Sequence, residues 1–108
     1  MNSDVISVKA KLTLYSTKNG GRKTPIATEY RPNHVMEYFP NSNEFPTTYI
    51  GQIEFDKELI YPGEIEHVIV RFLRHQNIEE LLVKGRIWWI HEGPGKIGEA
   101  EIIKIINE

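Results

Sequence analysis

The chain has 108 residues, 40% of them hydrophobic and 26% charged, with a formal net charge of -2. That length suits one domain with a packed core and is too short for two, and the composition excludes wholesale disorder. Cysteine is absent, which excludes disulfides and thiolate metal sites, and no apolar run approaches a membrane span.

The charge is unevenly spread. Residues 1–31 carry six Lys and Arg against Asp4 and Glu29, a balance of +4, and the remainder carries -6. A field covering the whole molecule is therefore excluded, while a local basic patch is allowed. Met1 to Asp4 has neither a basic nor an apolar targeting pattern, and the expectation is a soluble, cytoplasmic protein.

Residues 5–17 open with a period of two. Ile6, Val8, Ala10, Leu12 and Leu14 share one parity, and Ser7, Lys9, Lys11 and Thr13 the other. This predicts a strand with one buried face and with Lys9 and Lys11 turned to water. Asn19-Gly20-Gly21 ends it, and Arg22 and Lys23 come next on a turn pinned by Pro25 and Pro32. Residues 34–39 predict a second strand, broken at Pro40. Residues 47–55 predict a third, with Gly51 at a bulge or a close approach.

Tyr61-Pro62-Gly63-Glu64 suits a type II turn. The β-branched run from Ile65 to Leu73 predicts a strand with Val68, Val70 and Phe72 on one face. His67, Ile69 and Arg71 fall on the other. Ile78 to Leu82 is ambiguous and admits one helical turn. Arg86 to His91 predicts an aromatic strand, Glu92-Gly93-Pro94-Gly95 a hairpin loop, and Ile97 to Ile106 a last strand. The last strand is apolar on both parities, which suits a strand covered from outside or one paired at a closure seam. About six strands without a long amphipathic helix predict an all-β sandwich or a small barrel spanning residues 1–108.

Catalytic and cofactor chemistry finds little support. His67 and His75 lie roughly 26 Å apart if extended, too far for one ion, and no other spacing resembles a ligand set. His91 and Glu92 are neighbours on a strand and point to opposite faces. Gly93-Pro94-Gly95-Lys96 lacks the Ser or Thr and the leading glycine of a phosphate loop, and Pro94 removes a cradle amide. The expectation is a non-enzyme without metal, cofactor, nucleotide or membrane partner. Trp88 and Trp89 are consecutive, so alternation turns one inward and one outward, unless both faces are packed. Both are candidates for a protein-interaction surface, as are Ile102 and Ile105 on the two-faced last strand.

Three blocks, in order, resemble the C-terminal β-barrel domain (domain III) of elongation factor Tu. The first is Gly20-Gly21-Arg22-Lys23-Thr24-Pro25 with Tyr30-Arg31-Pro32, against Gly-Gly-Arg-His-Thr-Pro and Tyr-Arg-Pro in the family. The second is Tyr61-Pro62-Gly63-Glu64 before a β-branched strand, against Met-Pro-Gly-Asp. The third runs from Arg86 through His91-Glu92-Gly93 to Gly98, with an apolar strand after it.

The resemblance implies a six-stranded antiparallel barrel standing alone. It also implies a role connected to translation and a surface that grips structured, tRNA-like RNA by its backbone. Carried over by position, that surface would include Arg22, Lys23, Asn33, Arg74, Glu92 and Gly93; Arg31 joins them as a cation of the same loop. The chain departs from the family where His91 replaces an Arg and where Glu37 to Asn43 replaces an Arg-Thr-Thr-Asp-Val-Thr-Gly run. It carries no P-loop. Two expectations result: first, a protein-interaction module binding a partner protein or a second copy; second, an RNA-backbone binder acting through the basic 18–31 loop.

Overall fold

A computed structural model describes residues 4–106. The described residues form eight strands: β1 (Val5–Leu14), β2 (Ile26–Ala27), β3 (Asn33–Val35), β4 (Tyr49–Glu54), β5 (Leu59–Ile60), β6 (Ile65–Leu73), β7 (Ile87–Glu92) and β8 (Gly95–Ile106). Six of them close into an antiparallel barrel in the order β1-β6-β4-β3-β7-β8, with β8 returning to β1. The fold is thus all-β and a closed barrel, one of the two forms, sandwich or barrel, that the strand count left open. The short β2 and β5 pair separately as a ribbon.

The alternation of β1 does what it predicts. Ile6, Val8, Ala10, Leu12 and Leu14 are all buried, and they meet Val68, Val70 and Phe72 of β6 inside the barrel. Tyr61 to Glu64 makes the type II turn, with Gly63 at φ 95° and the Glu64 amide donating to the Tyr61 carbonyl at 3.0 Å. The ambiguous segment after Ile78 is one short 3-10 turn, Glu79–Leu81.

The last strand is the closure seam, paired to β1 on one side and β7 on the other. Its two-faced apolar pattern has a further cause. Register shifts fall between Ile90 and His91 on β7 and between Lys9 and Ala10 on β1, leaving Ile97 and Ile103 as extra residues on β8. Each bulge inverts the parity of the residues beyond it. Ile97, Ala100 and Ile102 are therefore all interior despite their mixed spacing.

The second strand is shorter than the expected 34–39 and ends at Val35. The chain then folds back over the outside of β3 and β7. Val35 points outward by alternation with the interior His34, yet it is fully buried beneath this segment.

The barrel interior holds one polar chain. Trp88 Nε1–H donates to His34 Nδ1 at 2.9 Å, and the opposite ring nitrogen of His34 donates to the Gly51 carbonyl at 3.0 Å. His34 is fully enclosed, and its burial lowers its pKa to about 4. The ring is neutral with its proton on Nε2. Phe72 packs edge-on against both His34 and Trp88. Gly51 is the close approach expected from its place in the strand: a Cβ there would lie 2.8 Å from Phe72 Cδ1 and 3.0 Å from His34 Nε2.

Candidate functional site

Arg22 sits on the loop after β1, whose path is set locally. Ser16 caps a 3-10 turn, Thr17–Asn19, and Gly20 leaves it in the left-handed region. The Gly21 amide then bonds back to the Ser16 carbonyl at 2.9 Å, and a Cβ on Gly21 would lie 2.0 Å from the Tyr15 carbonyl oxygen. Only glycine fits there, so the Gly-Gly pair is a requirement of the turn itself.

The Arg22 guanidinium does not reach into solvent. It donates to Glu92 at the end of β7, to the Tyr30 hydroxyl, to Thr24 Oγ1 at 2.9 Å and to the Thr24 carbonyl at 3.1 Å. Tyr30 also donates to Glu92, and Arg22 lies over the Tyr30 ring at 5.3 Å from its centroid. Burial, with the Glu92 bond second, raises the Tyr30 hydroxyl pKa far above its ordinary value. This cluster ties the 17–25 loop to the β7–β8 hairpin across 70 residues of sequence. Arg22, Thr24, Tyr30 and Glu92 are linked by these bonds and hold the barrel end together.

The remaining RNA candidates scatter. Lys23 and Gly93 are exposed at that same end, and Asn33 is exposed on β3 opposite His91. Arg31 donates to Gln52 Oε1 at 2.8 Å. Arg74 is placed elsewhere: it comes directly after Leu73, which pairs with Val5 at the start of β1, whereas Leu14 at the far end of β1 pairs with Gly98 beside the hairpin. Ten residues of strand, about 30 Å, separate those ends. Arg74 bonds Glu79 at 3.0 Å and cannot share one contiguous patch with Arg22.

Of the apolar candidates, two are corrected. Trp88 is fully buried and Ile102 is 1% exposed, so both belong to the core and neither offers a surface. Trp89 is the outward member of the tryptophan pair, and Ile105 is 38% exposed at the end of the barrel, opposite Val8.

Trp89 opens a patch that sequence reading missed. The segment after Val35 lays Tyr38 edge-on to Trp89 at 5.1 Å between centroids and Phe45 edge-on to Tyr38 at 6.0 Å. His91 lies beneath, in contact with both Tyr38 and Phe45. Burial lowers the His91 pKa, which keeps it neutral at pH 7, and the Tyr38 hydroxyl bonds its Nε2. Lys96, reaching back from the hairpin, sets its ammonium 4.9 Å from the Tyr38 centroid and 5.8 Å from that of Trp89. Beside it Phe39, Asn43, Glu44, Phe45 and Pro94 line a depression of about 400 Å³, with Phe39 49% exposed. The signal available in the sequence was the aromatic density of residues 38–45; what it could not show was that this segment folds over β7.

Among the described residues no three His, Asp or Glu side chains gather as a metal set, and no helix is long and apolar enough to cross a membrane. The geometry defines a closed antiparallel barrel. No protein-family model matches this chain.

Proposed function

We propose that this chain is a non-catalytic barrel of the elongation-factor-Tu domain III type that serves as a protein-interaction module. Its working surface is the patch formed by Phe39, Phe45, Trp89, Pro94 and Lys96. The occupant is a segment of a partner protein that presents an apolar side chain next to a carboxylate.

The observation that carries this reading is Lys96. Its ammonium is held against two ring faces by cation–π attraction, and among the described residues no carboxylate stands within ion-pairing distance of it. A partner carboxylate completes that charge, while Phe39 and the depression beside it accept an apolar side chain. Nucleobases are the poorer fit. Stacking needs free ring faces, and Lys96 covers one face each of Tyr38 and Trp89. The RNA reading keeps the exposed Lys23 and Arg31, but Arg22 is engaged in the barrel-end cluster and Arg74 lies at the far end.

Affinity purification from the native lysate, with and without ribonuclease, tests this. The expected result is one protein recovered in stoichiometric amount after ribonuclease, lost with Phe39→Ser and with Lys96→Glu, and retained with Lys23→Ala. Recovery that vanishes with ribonuclease, or that survives both patch substitutions, refutes it.

A further inference from the structure

A second charged face lies on the opposite side of the barrel. In the closed order, β3 and β7 carry the aromatic patch, and β6 and β1 stand three strands away from β7 and β3 respectively. The outward residues of β6, β1 and β8 form cross-strand rows. Ile69, Lys9 and Lys104 make one; His67, Lys11 and Glu101 the next; Arg71, Ser7 and Ile106 the third.

The middle of this face places Lys9 directly opposite Lys104. Facing residues on paired strands have Cα atoms roughly 5 Å apart, and like charges so placed destabilise a sheet. Lys11 stands two residues further along, about 7 Å away on the same face. Among the described residues no carboxylate lies within ion-pairing distance of Lys9, Lys11 or Lys104; the nearby Arg71 is paired to Glu54 at 2.9 Å.

The β-bulge at Ile103 creates this arrangement. Ala10 pairs with Ile102 and Lys9 with Lys104, so one residue of β8 is skipped. In a regular ladder Ile103 would stand opposite Lys9, and Lys104 would stand opposite Val8 on the inward side. A local irregularity thus delivers a third cation beside Lys9 and Lys11, at a cost in sheet stability; Glu101 stands opposite Lys11, which leaves Lys9 and Lys104 as the facing like-charged pair.

We propose that the β6–β1–β8 face binds an acidic segment of a protein, with Lys9, Lys11 and Lys104 as its anion-contacting residues. An acidic protein segment fits better than a nucleic-acid backbone because Ile69 and Ile106 flank the lysines on the same face and offer apolar contact that a phosphate chain does not use. This face and the aromatic patch share no residue, and each is tested by its own substitutions.

The test uses fluorescein-labelled poly-L-glutamate of about twenty residues as the probe, with anisotropy read against the intact protein at low and moderate salt. The expected result is saturable binding, weakened at least tenfold in Lys9→Ala/Lys104→Ala and weakened similarly by raising salt from about 50 to about 300 mM. The Phe39→Ser variant binds the probe as the wild type does. The double variant should also unfold at a higher urea concentration than wild type, because the facing charges are gone; this shows that lost binding is not lost folding. Absence of binding overturns the proposal, as does equal binding by the double variant. Preferential binding of unfractionated tRNA that the same two substitutions abolish assigns the face to nucleic acid, and overturns it as well.

Discussion

Replacing His34 by Gln should remove a specific acid sensitivity from the barrel. His34 is neutral in the folded state, accepting from Trp88 and donating to the Gly51 carbonyl, and its pKa there is about 4 against 6.5 when unfolded. Between those values the unfolded chain holds a proton that the folded chain does not. The unfolded state binds more protons, so stability rises with pH through this window and falls as pH drops from 6.5 towards 4. A difference of two and a half units corresponds to about 3 kcal/mol lost by pH 4. A glutamine keeps an acceptor for Trp88 Nε1–H and a donor for Gly51 without titrating. The variant bears a packing cost at every pH, so the informative quantity is the change with pH. Urea unfolding followed by circular dichroism, repeated from pH 7.5 to pH 4, measures it. Carboxylates titrate alike in both proteins and cancel in the comparison, as does His91, whose pKa is also lowered by burial. The expected result is that wild type loses about 3 kcal/mol more than His34→Gln across this range. Parallel curves for the two proteins would refute the buried, neutral assignment of His34.

Arg22→Met should lower stability by about 1 kcal/mol, because it removes the partly exposed bonds that tie the loop to Glu92, Tyr30 and Thr24, whereas Lys23→Ala, on an exposed side chain, should stay within about 0.3 kcal/mol of wild type in the same urea assay. Equal effects of the two would refute the barrel-end cluster. Gly51→Ala should cost about 1–3 kcal/mol, since its Cβ would press on Phe72 and His34; a neutral urea midpoint would contradict that packing. Iodide should quench only part of the tryptophan fluorescence, and Trp89→Phe should abolish the quenchable part, as Trp88 is sealed in the core. Persistence of iodide quenching in that variant would reverse the inward and outward assignment.

How much of this molecule is legible in its sequence depends on which forces are local. The phase of β1 is legible because one full face is apolar and the other polar over ten residues. The type II turn at Tyr61 to Glu64 is legible because proline and glycine fix their own dihedrals. Trp88 and Trp89 share one residue type, so parity separates them without saying which is inside. The bulges at Ile97 and Ile103 are not legible: each is a choice of register against a distant strand, and a single skipped residue moves Ile102 into the core and Lys104 to the surface. The union of Arg22, Tyr30 and Glu92 depends on barrel closure, which no short window contains. The covering of β7 by residues 38–45 is tertiary for the same reason. Arg22 reads as part of a ligand-binding loop until the closed barrel supplies Tyr30 and Glu92 as its partners, while Lys23 stays exposed.

Photo-crosslinking from within the aromatic patch is the sharpest test of a protein-binding barrel. A benzophenone side chain placed at position 39, and separately at position 23, is irradiated in the native lysate, and the adducts are digested with ribonuclease. The expected outcome is a single discrete protein adduct from position 39 that resists ribonuclease and disappears when Lys96 is changed to Glu. A ribonuclease-sensitive adduct from position 23, with none from position 39, would contradict it.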